Sequence, residues 1–226
     1  MISDWTVSIP TCNRYDFLKD AVNSAASQIV PPDQIVISDN STINREFDLP
    51  KWTNRVKLTY HKQVKQISAW QNFKFCLDCC NTKFFSWLQD DDYMFSDFSV
   101  AALPYMLADE SIGAIIGYAY YNTEIDRLFS LRTLVWGPPP FKMNLTSKTP
   151  LVLPQFSLIP WLASYWPGYS PIAIYRTSLI KKVINSLPEP TGYSLFLGEK
   201  RVIAGLNSMA SIAYLPFPCG VIRQHG

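Results

Sequence analysis

Alternation of strand and helix signals constrains this chain more than any other feature of its sequence. Thr6-Val7-Ser8-Ile9 is a short β-rich run stopped by Pro10. Tyr15, Leu18, Val22, Ala25, Ala26 and Ile29 then recur at helical spacing, predicting an amphipathic helix that Pro31-Pro32 closes. Gln34 to Ser38 reads as a second strand ending in the polar cluster Asp39-Asn40-Ser41, and Val56 to Tyr60 as a third. Ser68 is placed to cap a helix with Trp70, Phe73, Leu77 and Cys80 on one side, and Phe84 to Leu88 forms the fourth strand. Strands joined by helical crossovers lie parallel in one sheet, and such sheets gather ligands at the carboxyl ends of their strands.

Two acidic groups fall at those ends. Asp39 closes the second strand, and Asp90-Asp91-Asp92 follows the fourth without a break. Three adjacent carboxylates repel one another, so the triplet implies a compensating cation, the alternative being a solvated acidic turn. Hard oxygen ligands at a strand end suit magnesium or manganese shared with the phosphates of a substrate.

The second half is less regular. A helix is expected around Phe98 to Leu107, followed by apolar runs at Ile112 to Tyr121 and Leu128 to Trp136, then a rigid break at Gly137-Pro138-Pro139-Pro140. Pro171 to Tyr175 reads as a strand, and Ser178 to Leu187 and Leu197 to Ser208 as helices. Ala213 to Leu215 and Gly220 to Arg223 read as two closing strands. The charge-free run from Thr149 to Tyr175 is broken by five prolines, which excludes a clean membrane-spanning helix.

A formal net charge of +2 argues against a nucleic-acid partner. The first residues lead straight into a strand without a secretory signal, and the five cysteines are expected to be reduced thiols. Both point to a cytoplasmic chain, with the inner face of a membrane as a peripheral contact.

Val7 to Arg14, Val36 to Ser41, Leu88 to Asp92 and the ending Val221-Ile222-Arg223-Gln224-His225-Gly226 together resemble the family 2 glycosyltransferases. The resemblance implies the GT-A fold: α/β, with a Rossmann-like, mostly parallel central sheet flanked by helices and a smaller antiparallel region on the acceptor side. It implies one domain over 1–226, with a nucleotide-sugar half at about 1–95 and an acceptor half at about 96–226. The implied reaction moves a sugar from a nucleotide diphosphate donor, UDP by family frequency, to a glycan or lipid-linked acceptor, with inversion, in surface polysaccharide synthesis.

The same resemblance assigns residues. Pro10, Thr11 and Arg14 would border the nucleotide, Asp39 would accept a hydrogen bond from base or ribose, and Asn72 lies in a segment facing the donor. Gln89 stands where the family carries the first aspartate of its acidic motif, so Asp90 joins it on the donor side. Asp91 and Asp92, with His225, would hold Mn2+ or Mg2+, and Arg223 would pair with a phosphate. Glu199 is the candidate base, although Lys200 replaces a customary aspartate, and Glu189 or Asp126 are substitutes. Trp161, Tyr165, Trp166 and Tyr169 offer faces for a sugar ring, for a membrane interface, or for a proline-braced core loop.

Two other classes fail on the loop after the first strand. A dinucleotide oxidoreductase needs Gly-x-Gly-x-x-Gly there, and a sugar nucleotidyltransferase needs a glycine-rich loop bearing lysine, but the chain has Pro10-Thr11-Cys12-Asn13-Arg14. A GT-A module that binds sugar nucleotide without turnover remains the alternative, favoured by Gln89 and Lys200.

Overall fold

The computed structural model describes residues 3–43, 55–123, 132–134, 147–158, 172–190 and 194–224. Its first half follows the predicted alternation: β1 (Trp5–Thr11), α1 (Tyr15–Ala26), β2 (Gln34–Asp39), β3 (Lys57–Lys62), α2 (Ala69–Asp78) and β4 (Phe84–Trp87). Then come β5 (Tyr93–Met94), α3 (Phe98–Ala108), β6 (Ile112–Thr123), β7 (Arg132–Leu134), β8 (Leu151–Leu153), β9 (Ala173–Arg176), α4 (Thr177–Ser186), α5 (Ser194–Asn207) and β10 (Ser211–Gln224). The described strands form one sheet in the order β3-β2-β1-β4-β9-β6-β10-β5, with β7 on β6 and β8 on β10.

β1, β2, β3 and β4 are mutually parallel. β9 runs against both β4 and β6, and β10 lies parallel to β6, so the main strands other than β9 share one direction. Side chains alternate across the sheet with period two. Phe84, Ile115, Ile174 and Ala213 pack with α1 and α3 on one face. Phe85, Ile116, Tyr175 and Tyr214 pack with α2, α4 and α5 on the other. The result is a three-layer α/β/α core of the mostly parallel kind the sequence implied.

Several expectations change in detail. Pro10 does not stop β1, which runs on to Thr11. Residues 8 and 10 direct their backbone groups to the same side of a strand, and Ser8 is already the last to bond on the β4 side, where its carbonyl accepts from Leu88. The missing N–H of Pro10 therefore costs no ladder bond. Ile29 lies beyond α1 and is exposed, because the helix closes at Ser27 and the Ile29 N–H turns to the carbonyl of Ser96.

The two closing strands are one strand, β10. It absorbs Pro216 and Pro218 through register shifts against β6 between Tyr214 and Gly220. Its other edge changes partner, pairing β8 at Ile212 to Tyr214 and β5 at Gly220 and Val221. The second of these pairings makes the glycine necessary: a Cβ on Gly220 would lie 2.2 Å from the carbonyl oxygen of Tyr93. All five cysteines are free thiols. No described helix is long and apolar enough to cross a membrane.

Candidate nucleotide-sugar site

Residues 88–92 carry the chain from β4 to β5, across the carboxyl-terminal rim of the sheet, and this crossing is what places the acidic triplet. Asp92 donates its N–H to the Gln89 carbonyl at 3.1 Å, closing a turn around Asp90 and Asp91. Gln89 is half-buried and contributes this backbone acceptor. All three carboxylates are buried, yet each has different company.

Asp90 is tied to the end of β1. Its Oδ2 accepts from the Thr11 hydroxyl at 2.7 Å and from the Cys12 N–H at 3.4 Å. Nη1 of Arg14 lies 2.5 Å from Asp91 and 3.4 Å from Asp90. Oδ1 of Asp92 accepts from the Arg223 N–H at 3.3 Å, whereas its Oδ2 is buried without a hydrogen-bond partner. Burial pushes the Asp92 carboxyl well above the usual carboxylate range, and the neighbouring Asp91 adds to the rise. Burial also raises Asp90, against the opposing pull of Thr11, with Asp91 again pushing up and Arg14 holding down. The need for a cation, read from sequence, is thus met in part by Arg14.

Asn13 links this cluster to the end of β2. It sits at φ 59°, a left-handed conformation that asparagine tolerates, and its N–H donates to the Ser41 hydroxyl at 2.7 Å. Next to Ser41, Asp39 is fully buried. Its carboxylate accepts from Tyr15 Oη at 2.8 Å, Lys62 Nζ at 3.1 Å and the Ser41 N–H at 2.8 Å, and from the Tyr60 hydroxyl. Oδ2 takes three of these donors and Oδ1 takes the Ser41 N–H. Burial pushes its pKa upward, but bonds from Ser41, Tyr60 and Tyr15 outweigh burial and hold it at about 2.

The resemblance implied a direct contact of Asp39 with base or ribose; here the carboxylate is buried and the partner that reaches the surface is Lys62. Its side chain is one-third exposed, and its Nζ also donates to the Ser41 carbonyl at 2.7 Å. Tyr60 and Lys62 escaped the sequence reading. The available signal was their i, i+2 spacing, which puts both on one face of β3 opposite Ile37 and Asp39.

Two further donor-side residues point elsewhere than expected. Asn72 is buried between α2 and β2, where its amide accepts from the Ser38 hydroxyl at 2.6 Å and donates to the Ser38 carbonyl at 3.2 Å. The Arg223 guanidinium turns outward to Asp20 at 3.1 Å and lies over the Phe17 ring, so its hydrogen bond to the triplet comes from the backbone N–H while its charge acts on Asp92 from a distance. Pro10 is buried within β1.

Glu199 falls inside α5, in its second turn, because the helix begins at Ser194, earlier than the expected Leu197. β9 runs antiparallel to β4 and α4 returns toward the rim, so α5 starts on the same side of the sheet as the triplet. Glu189, the substitute base, is committed to α2: it accepts from the Ser68 hydroxyl and from Gln71 Nε2 at 3.2 Å. The predicted residues His225, Trp161, Tyr165, Trp166, Tyr169 and Asp126 lie outside the described residues. Among the described residues no three His, Cys, Asp or Glu side chains form a group suited to a metal ion.

A family model described as glycosyl transferase family 2 matches residues 6–159, a span that takes in both the Asp39 rim and the acidic triplet. The chain belongs to this family. S. aureus TarS 1-349 superposes with a TM-score of 0.67 at 17% identity, covering 97% of this chain and 60% of that structure. Its complex with UDP gives 0.68 at 18% identity, covering 97% and 60%, and its complex with UDP-GlcNAc gives 0.68 at 16%, covering 98% and 59%. The family 2 chain described here therefore has the GT-A glycosyltransferase fold, and spans about three-fifths of the length of these structures. No curated protein sequence matches it.

Proposed function

We propose that this family 2 chain transfers a sugar from a nucleoside diphosphate donor, UDP in the first instance, to a glycan or lipid-linked acceptor in surface polysaccharide synthesis. The observation that carries this reading is the joining of Thr11, Arg14 and the acidic triplet to the Asp39–Lys62 rim through Asn13 and Ser41. One edge presents cations and hydroxyls suited to a diphosphate and ribose, and the other presents carboxylates. Solved complexes of the similar S. aureus TarS with UDP and UDP-GlcNAc support the donor class.

Asp91 and Asp92 offer only oxygen donors, and Oδ2 of Asp92 is buried without a hydrogen-bond partner, so the pair would fit Mn2+ or Mg2+ in kind. Such an ion supplies positive charge to a departing diphosphate. The remaining steps belong to the chain. Thr11 holds Asp90 against β1, and Arg14 presents a guanidinium to phosphate oxygens. Glu199 removes the acceptor hydroxyl proton as that oxygen bonds to the anomeric carbon and the bond to the diphosphate breaks, which inverts the centre. A positioned base of this kind is worth on the order of 10²–10⁴ in rate. The reaction is placed on the cytoplasmic side, at the inner face of a membrane where the acceptor is lipid-linked.

Calorimetric titration of UDP with and without manganese tests the reading. Binding that tightens with the metal is expected, whereas no binding in either condition sinks it. Gln89 and Lys200, standing where the family carries acids, favour the second reading of a module that binds without turnover. Glu199→Gln separates the two: an enzyme keeps donor affinity and loses turnover, while a module shows no turnover in either form.

A further inference from the structure

We infer that Arg14 is the resident counter-cation of the acidic triplet and must leave Asp91 before a divalent ion is held there, so that metal and nucleotide diphosphate enter together. This rests on the nucleotide-sugar reading above. Nη1 of Arg14 stands 2.5 Å from Asp91 and 3.4 Å from Asp90, so one guanidinium nitrogen occupies the face of Asp91 that an ion held there would need. Two cations at that separation repel, so arginine and metal exclude each other.

The two ends of the contact are unequally held. The Arg14 side chain is 47% exposed, whereas those of Asp90 and Asp91 are 7% and 8% exposed. Asp90 is also fixed to β1 by Thr11 and the Cys12 N–H, independently of the arginine. The guanidinium is therefore the solvent-facing end of the contact and the carboxylates the buried end. A separate observation lies beside this contact: the buried Oδ2 of Asp92, which Arg14 does not reach, has no hydrogen-bond partner.

A diphosphate resolves this competition. Its oxygens accept the guanidinium bidentately, which a single carboxylate oxygen at Nη1 does not. An arginine drawn onto the diphosphate vacates Asp91, and the ion that arrives with the nucleotide replaces it. Nucleotide and metal are then positively coupled, and such couplings usually span about 5- to 150-fold in affinity.

Manganese uptake followed by electron paramagnetic resonance, without nucleotide, tests this directly. Arg14→Gln should bind Mn2+ at least about tenfold more tightly than the wild type. Arg14→Lys, which keeps the charge, should behave like the wild type. Adding UDP should raise Mn2+ affinity in the wild type and narrow its difference from Arg14→Gln. Equal Mn2+ affinity of wild type and Arg14→Gln without UDP overturns the inference, as does uptake by neither.

Should Arg14→Gln fail to fold by circular dichroism, the wild type still decides. Its Arg14 side-chain NMR resonance should move when magnesium and UDP are added together, and an unmoved resonance under bound UDP overturns the release. Absence of UDP binding under every condition sinks the nucleotide-sugar reading instead, and the nucleotide-free Mn2+ comparison still decides the place of Arg14.

Discussion

Asp39 is a fully buried carboxylate at the end of β2 whose four donors come from α1, β3 and the turn at Ser41. Its pKa of about 2 lies below the ordinary 3.8, so the folded state favours the charged form. The stabilisation is present above about pH 4 and is lost as pH falls toward 2. It amounts to on the order of 2 kcal/mol. Asp39→Asn should lose about that much stability at pH 7 and flatten the acid limb of a urea-midpoint against pH curve. The Arg223 guanidinium pairs with α1 rather than with the triplet. Arg223→Ala should cost about 1 kcal/mol of stability, the sum of a surface ion pair and a cation–π contact. It should change UDP affinity by less than about threefold, because the backbone N–H that meets Asp92 remains; a tenfold loss in a titration would return the guanidinium to the donor site.

Among the elements, α2 was the most legible because its start signal is local. Ser68 accepts from the Gln71 N–H at 3.1 Å, and Gln71 returns a bond to the Ser68 N–H at 3.3 Å, completing a capping box. Ser68→Ala should lower stability by about 1 kcal/mol in chemical denaturation. The long-range partner Glu189 left no local signal. β10 was the least legible element, since Pro216 and Pro218 split its apolar pattern and only pairing with β6 makes it one strand. Gly220 marks the point where β5 crosses its edge. With the carbonyl of Tyr93 only 2.2 Å from any Cβ, Gly220→Ala forces the backbones apart and should cost about 1–3 kcal/mol. An unchanged thermal midpoint would contradict that close approach.

At the scale of the whole molecule, β9 inserts antiparallel between β4 and β6 and joins strands from both halves of the chain into one sheet. Phe84 from the first half and Ile174 from the second lie in the same core cluster. Phe84→Ala and Ile174→Ala should therefore each lower the unfolding free energy of one shared transition, by about 3–5 and 2–5 kcal/mol respectively. Two separate transitions by circular dichroism and fluorescence would show halves that unfold independently.

The sequence by itself determined whatever depends on near neighbours: strand and helix periodicity, the Ser68 cap, and the exit of β2 and β4 into carboxylates at a strand end. Those signals repeat every two or four residues and need no knowledge of what lies across the sheet. Only the tertiary structure decided that Arg14 stands against Asp91, that Lys62 covers Asp39, and that Arg223 turns to Asp20. Each of these pairs joins residues from different elements, and a charge declares its sign in sequence but not the partner that burial will force upon it.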